Sequence, residues 1–311
     1  MNYSIFVVGP GRLGGYVAFR ALQLGLGKCL YIAGRTKEKT FGIARDLQEA
    51  FPNSEIVPID NYELSCKVDF TFFTFSTLKW KPNIGVNDRW IEAQSNFSIV
   101  EEIASSINPS NLGDVFILSN PVDIVTNFVA HKFRGSRIFG LGISLDERRI
   151  ARILNTHYGK KIKRVPCVGE HGHNIVPLLS HILPDSIINL ELYKRIKEDA
   201  FKFTEPIIRC TSIPFYGPLS EIDRLLTMMC KKSTGTFSAS VPLNGYPFGI
   251  SDISLGVPVH MKDGKLTDIE PLKLNNFESE LFSQAAIQCK ENYRKLTQSL
   301  IRYFLAKKTK K

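Results

Sequence analysis

Two short segments in the second half of this chain contain the residue types of an acid–base site. Asp146 and Arg149 are three residues apart in a pattern that predicts a helix, so their side chains project from one face. A strand is expected over residues 161–168, and His171 follows it in a glycine-rich segment. A carboxylate can orient and charge an imidazole, and a guanidinium can bind a substrate carboxylate through two parallel hydrogen bonds. Together these groups could pass a proton to a carbonyl that lies beside a carboxylate.

The first half of the chain supplies the elements of a parallel sheet. Its strand-like runs are continuously hydrophobic rather than alternating, which favours strands buried on both faces. The runs cover residues 4–8, 29–33, 55–59, 68–75, 115–119 and 137–141, and they alternate with helical patterns. We therefore predict an α/β fold with a doubly wound parallel sheet (the Rossmann arrangement) over residues 1–142.

The second half mixes helices with strands and is predicted to be an α+β catalytic domain over residues 143–311. Helical patterns cover residues 145–157, 187–203, 219–231 and 275–304, and strand-like pieces cover 236–242, 257–261 and 265–269. No low-complexity linker separates the halves, so we expect them to pack tightly.

Composition narrows the class of protein. With 311 residues, 43% of them hydrophobic, the chain can form two modest domains. It contains no apolar run of the roughly eighteen residues that a membrane span needs, and we expect no signal peptide because the apolar run near its N-terminus is too short. Six cysteines without a C-x-x-C pair suggest reduced thiols in a cytoplasmic protein. The net charge of +10 could attract small anions, and no nucleic-acid-binding motif accompanies it.

A glycine-rich turn near the N-terminus predicts a dinucleotide site. It fits G-x-G-x-x-G and stands between the first strand and the first helix. In such a turn the second glycine lets the backbone approach a pyrophosphate, and the helix N-terminus adds amide donors. The expected cofactor contacts are Gly9, Gly11, Arg12, Leu13 and Gly14. A glycine turn without a ligand is the alternative.

The residues after the second strand favour NADP over NAD. NAD-binding folds usually carry an acidic residue here for the ribose 2′-hydroxyl, but this chain has Gly34. Arg35 and Thr36 could hold a 2′-phosphate. A surface arginine that happens to follow a strand is the alternative, and NAD stays possible.

These motifs, together with others in the same order, resemble the lactate/malate dehydrogenases over nearly the whole chain. The further matching segments are residues 44–48, Arg89 with Asn96 seven positions later, and residues 119–123, 141–146, 169–172, 215–218 and 255–258. Each is common alone, but their order and spacing are specific. The resemblance implies hydride transfer between a nicotinamide cofactor and a small 2-hydroxy/2-oxo acid, in a homodimer or homotetramer.

The resemblance also implies roles for the acid–base residues. His171 would exchange a proton with the substrate oxygen, and Asp146 would hold the other ring nitrogen and raise the pKa of His171. Arg149 would bind the substrate carboxylate. Arg89, expected on a mobile loop after the fourth strand, would swing in and polarise the reacting carbonyl.

Four more residues receive roles at the cofactor. Asn120 would form hydrogen bonds near the nicotinamide ribose and the substrate. Leu118 and Ser119 would line the cofactor, and Asn96 would contact it.

The chain departs from the family pattern in three places. Phe75-Ser76 stands where the family usually has Ala-Gly, the loop over residues 76–89 is longer than usual, and Pro214 replaces a threonine. Within that loop, the resemblance puts Trp80 at the substrate-selecting position with Lys81 beside it. The basic charge ranks malate/oxaloacetate ahead of lactate/pyruvate, while the tryptophan leaves an unusual 2-oxo acid open.

Three alternatives remain at this point. The altered residues could mark a non-catalytic, nucleotide-binding relative of the family. His171 and His173 could share a metal ion, but no third ligand stands at suitable spacing. A metal-assisted, NAD-using glycosidase of related fold would require a divalent ion.

Overall fold

The computed structural model describes residues 3–77, 86–159, 161–172, 174–211 and 213–308. The strands are β1 (Tyr3–Val8), β2 (Gly27–Ala33), β3 (Glu55–Ile59), β4 (Phe70–Phe73), β5 (Asp114–Ile117), β6 (Ile138–Gly140), β7 (Cys167–Gly169), β8 (Ile175–Pro177), β9 (Gly235–Asn244), β10 (Ser251–Lys262) and β11 (Lys265–Ile269). The helices are α1 (Arg12–Gln23), α2 (Lys37–Ala50), α3 (Val86–Ser106), α4 (Val122–Lys132), α5 (Ile143–Tyr158), α6 (Leu190–Thr211), α7 (Tyr216–Cys230) and α8 (Asn276–Lys308).

A parallel sheet with the order β3-β2-β1-β4-β5-β6 forms the first half. Helices α1 to α4 provide connections between its strands. This arrangement confirms the predicted α/β class with a parallel central sheet. The carboxyl ends of β1, β4 and β5 lie side by side at the point where the strand order reverses, which is where ligands bind in folds of this kind.

Stacked aromatic rings cross the core of the first half. Phe72 stacks on Phe116, with ring centroids 4.9 Å apart, and Phe116 stacks on Phe139 at 5.7 Å, so these rings cross β4, β5 and β6. Residues 5–8 of β1 are all buried. Burial on both faces explains why the strands are continuously hydrophobic in the sequence.

The second half extends the same sheet with antiparallel strands. Gly140 of β6 pairs with Ser240 of β9, and β9 then pairs along its length with β10. β10 pairs in turn with β7 and β11, and β7 with β8. The helix that carries Asp146, α5, begins directly after β6.

One predicted strand is shorter than expected. The structure has β7 only at Cys167–Gly169, whereas a strand was expected over residues 161–168. The backbone N–H of Ile162 donates to the side chain of Asn155 at 2.8 Å, and the N–H of Val165 donates to the Glu147 carbonyl at 3.2 Å. The segment therefore satisfies its backbone groups against α5 rather than against a neighbouring strand.

No helix in the described ranges is both long and apolar enough to cross a membrane.

Candidate active site

The glycine turn between β1 and α1 borders a crevice at the carboxyl end of the parallel strands. A Cβ on Gly9 would lie 2.7 Å from the backbone of Phe75, and one on Gly14 would lie 2.4 Å from the Thr74 hydroxyl oxygen. The packing of the protein therefore requires both glycines. Of the described atoms, the nearest to a Cβ on Gly11 would be the Gly9 carbonyl oxygen, at 4.0 Å. The turn thus leaves space beside Gly11 for a ligand to approach the backbone.

The crevice contains a cavity of about 280 Å³. The predicted site residues that line it are Gly9, Gly11, Arg12, Leu13, Gly34, Arg35, Thr36, Arg89, Leu118, Ser119 and Asn120. Because α1 begins at Arg12, its unpaired amides and the positive end of its dipole lie at the cavity wall. An open glycine beside a helix N-terminus fits the pyrophosphate of a dinucleotide.

The end of the crevice beside β2 is basic and has no space for an acidic side chain at position 34. A Cβ on Gly34 would lie 2.8 Å from the Thr40 hydroxyl oxygen, so any larger residue would collide there. Arg35 Nη2 donates to the Ser76 carbonyl oxygen at 3.4 Å, and Lys39 also lines the cavity. A side chain at position 34 would therefore require Thr40 or Pro10 to shift.

Phe75 is accommodated in the wall of the crevice. It is 5% exposed, and its ring packs against Phe73 with centroids 5.6 Å apart. The bulky residue that replaces the usual small one therefore places most of its surface in the core.

The second half of the chain forms part of the same crevice. Ile213 and Pro214 line the cavity, and the Arg12 guanidinium lies 5.2 Å from the centroid of the Phe215 ring. The glycine turn and the segment before α7 are therefore in contact although about 200 residues separate them in the sequence.

Asp146 joins His171 and Arg149 in one cluster. Its Oδ2 lies 2.5 Å from His171 Nδ1 and accepts from the Gly172 N–H at 3.2 Å. Its Oδ1 accepts from Arg149 Nη1, also at 3.2 Å. The three-residue spacing on α5 thus places the carboxylate and the guanidinium on one face. The His171 side chain is 22% exposed while Asp146 is buried, so the imidazole stays accessible.

The charges in this cluster favour a protonated imidazole. Burial alone would lower the pKa of His171, but the adjacent Asp146 carboxylate outweighs that effect and raises the pKa. Burial likewise tends to raise the pKa of Asp146, yet His171 and Arg149 bring it below its ordinary value. The proton therefore resides on the ring. Since Nδ1 faces Asp146, Nε2 is the nitrogen left to exchange a proton with a ligand.

Two residues without a predicted role hold His171 in place. Its backbone N–H donates to Asp123 Oδ2 at 2.8 Å, and burial raises the pKa of Asp123 to about 7. A Cβ on Gly142 would lie 2.8 Å from Cγ of the His171 ring, so the ring packs directly on the backbone before α5. Both residues belong to segments that match the family, but neither contact has a signal in the sequence because the partners are distant along the chain.

Arg89 lies on a helix, which corrects the expected position on a mobile loop. α3 begins at Val86, so Arg89 belongs to its first turn. Its Nη1 donates to Oε2 of the buried Glu92 at 2.7 Å, and Ser76 Oγ donates to Oε1 of the same carboxylate at 2.6 Å. Residues three apart on a helix are neighbours, so the Arg-x-x-Glu spacing was the signal that could have found this pair.

Asn96 does not line the described cavity. Its side chain is fully buried, and Nδ2 donates to the Asn120 carbonyl oxygen at 2.7 Å. Asn96 therefore supports the segment that lines the crevice instead of lining it. Asn120 itself, with Leu118 and Ser119, does border the cavity.

Some candidates lie outside the described residues: Trp80 and Lys81, with Lys79 beside them, and His173. Among the residues that are described, no group of three or more histidine, cysteine, aspartate or glutamate side chains is arranged to hold a metal ion.

The fold and the crevice define a Rossmann-type α/β protein with a mixed second half. No family model matches the chain. A malate dehydrogenase of Methanosphaera stadtmanae is 30% identical over 223 residues, covering 67% of this chain and 69% of that protein. An L-lactate dehydrogenase of Shouchella clausii is 27% identical over 316 residues, covering 95% of each chain.

Solved structures show the same fold. Malate dehydrogenase from Plasmodium falciparum superposes with a TM-score of 0.80 at 20% identity, covering 96% of this chain and all of that one. Malate dehydrogenase from Archaeoglobus fulgidus, solved in complex with NADH, has a TM-score of 0.78 at 23% identity, covering 94% of this chain and 99% of that one. The chain belongs to the lactate/malate dehydrogenase family, as its motifs predicted.

Proposed function

We propose that this protein is an oxidoreductase that transfers hydride between a nicotinamide cofactor and an L-2-hydroxy acid/2-oxo acid pair. The observation that carries the proposal is the contact of Asp146 with both His171 and Arg149. A charged imidazole and a guanidinium held by one carboxylate are the groups needed to protonate a carbonyl and to bind the carboxylate next to it. Relatives of both activities, lactate and malate dehydrogenase, are consistent with it.

Each residue of the cluster has a distinct task in this proposal. In the reductive direction, His171 gives the proton on Nε2 to the substrate oxygen, and Asp146 stabilises the imidazolium until then. Arg149 binds the substrate carboxylate, and Arg89 polarises the reacting carbonyl. Asn120 forms a hydrogen bond beside the reacting carbon.

The glycine turn and the residues around it would hold the cofactor, whose nicotinamide supplies or accepts the hydride when bound. Gly11 and the start of α1 would contact the pyrophosphate. We infer a preference for NADP, because Gly34 leaves no acidic group at the ribose and because Arg35 and Lys39 bring positive charge to that end.

Malate/oxaloacetate is proposed ahead of lactate/pyruvate because of the lysines beside Trp80 in the sequence and because of the proposed NADP preference. A domain division after residue 142 stays a prediction, as does a homodimer or homotetramer.

A panel assay tests the proposal. Purified protein is mixed with NADPH or NADH and with oxaloacetate, pyruvate or bulkier 2-oxo acids, and absorbance of the reduced cofactor is followed. We expect oxidation of NADPH, fastest with oxaloacetate. Nucleotide binding in a fluorescence titration without oxidation by any 2-oxo acid would overturn the proposal in favour of a non-catalytic relative.

A further inference from the structure

Glu92 is a buried carboxylate in the wall of the crevice. Its side chain is 2% exposed, and it lies on α3 one turn after Arg89. Oε2 accepts from Arg89 Nη1 at 2.7 Å, and Oε1 accepts from Ser76 Oγ at 2.6 Å. Both oxygens are thus engaged by groups that border the same cavity.

The burial of Glu92 restricts where Arg89 can go. A carboxylate removed from water is strongly destabilising unless a cation remains beside it, so departure of the guanidinium would leave an uncompensated charge. The Arg89 side chain is 30% exposed and lines the cavity, so it is anchored on one side and accessible on the other. A guanidinium has five N–H donors, and the bond to Glu92 uses one of them.

We propose that Glu92 is a positioning residue that fixes the Arg89 guanidinium in the crevice before a ligand arrives. Ser76 Oγ orients the Glu92 carboxylate through its hydrogen bond. The serine that replaces the family's usual small residue therefore helps to hold Arg89 in place. The inference rests on the proposed function, in which Arg89 polarises the substrate carbonyl. Glu92 acts through Arg89 and does not itself contact the reacting atoms.

The test is Glu92→Gln, which keeps the size of the side chain and its acceptor for Ser76 but removes the charge. A displaced guanidinium stabilises the transition state less well, so kcat should fall by roughly tenfold to a hundredfold. The KM values for the reduced cofactor and the 2-oxo acid should change by less than about threefold, because the polarising contact is made mainly in the transition state.

A variant pair separates positioning from a merely structural role. In the Arg89→Ala background, Glu92→Gln should lower kcat by no more than about twofold, because the group that it positions is already absent. Glu101→Gln is the matched control: Glu101 lies on the same helix and pairs with Lys132 at 2.6 Å, away from the crevice. This control should leave kcat unchanged.

Three outcomes are distinguishable. A kcat that stays the same or rises in Glu92→Gln would overturn the inference while leaving the proposed function intact; a rise would mean that Glu92 withholds Arg89. If Glu92→Gln lowers kcat by the same factor in the wild-type and Arg89→Ala backgrounds, the inference would also be overturned. If the wild-type protein oxidises no reduced cofactor, the proposed function fails. Urea unfolding of the two single variants and the double variant then tests only whether Glu92 and Arg89 stabilise each other. Shifts in the urea midpoint that simply add in the double variant would contradict an interaction between Glu92 and Arg89.

Discussion

The glycine turn and the acid–base cluster are held by different kinds of contact. At the glycine turn, the backbone itself forms the site: Gly9 and Gly14 permit close packing, and Gly11 is open. At the acid–base cluster, buried side chains from distant segments hold one another, as Asp146 and Asp123 do with His171. The turn depends on a few consecutive residues and on Thr74 and Phe75, which pack against them. The cluster depends on charges that the fold brings together from distant segments.

Loss of the imidazole should have the largest effect. We expect His171→Asn to lower kcat for 2-oxo acid reduction by about a hundredfold or more, because general acid catalysis contributes on that scale. Reduced-cofactor affinity, measured by fluorescence, should stay the same because His171 does not line the cavity beside the glycine turn. A variant that keeps full activity would remove the cluster from the mechanism.

Glycine substitutions test whether the turn is held by packing. Gly14→Ala would drive a methyl group into the Gly9 carbonyl and Thr74, and we expect a loss of about 1–3 kcal/mol in the free energy of unfolding. Gly11→Ala, at φ −81°, should change stability by no more than about 0.5 kcal/mol but weaken dinucleotide binding. Urea unfolding and fluorescence titration measure the two effects. Similar losses of stability in both variants would refute the distinction.

Cofactor choice can be tested at Arg35. Arg35→Asp should shift the ratio of kcat/KM for NADPH to that for NADH by about tenfold toward NADH, because a carboxylate would repel the 2′-phosphate. Arg45→Asp, on the exposed side of α2, is the control and should leave the ratio unchanged. An unchanged ratio in both variants would show that Arg35 does not contact the cofactor phosphate.

The pH dependence should change through Asp146. Reduction requires protonated His171, so kcat/KM should be constant at low pH and fall as the pH rises through the raised pKa of His171. In Asp146→Asn the carboxylate that raises the pKa is lost, and the fall should move to lower pH. Asp123→Asn should move it in the same direction but by less, because Asp123 makes a smaller contribution. If the pH profile does not move in either variant, the fall in kcat/KM does not report the ionisation of His171.

The same ion pair should stabilise the fold most between the two pKa values and lose this effect toward either pH limit. Because the pKa of His171 is higher in the folded protein than in the unfolded chain, its protonation stabilises the fold at pH values below the unfolded-state pKa. This stabilisation is lost as the pH rises through the folded-state pKa. Because the pKa of Asp146 is lower in the folded protein than in the unfolded chain, its ionised form stabilises the fold at pH values above the unfolded-state pKa. This stabilisation is lost as the pH falls through the folded-state pKa. Urea midpoints of the wild type and Asp146→Asn should therefore differ most between these pKa values.

Much of the fold could be predicted because its signals are local. Residues 5–8 are apolar without alternation and form the buried part of β1, and the glycine turn lies between β1 and α1 as expected. Boundaries were less accurate where side chains replace strand pairing, as at residues 161–166. The predicted position of Arg89 was wrong because the whole segment over residues 76–89 was interpreted as a loop, whereas α3 begins at Val86.

The amino-acid sequence by itself determined the alternation of strands and helices, the glycine turn and the residue types of the acid–base cluster. The hydrophobic pattern of an element and the conformational freedom of glycine depend on a few neighbouring residues, so both can be recognised in the sequence. Only the tertiary structure decided that Asp123 accepts from the His171 backbone, that Asn96 donates to Asn120, and that Glu92 accepts from Ser76. These contacts arise because buried polar groups must find partners among whatever segments the fold brings near them.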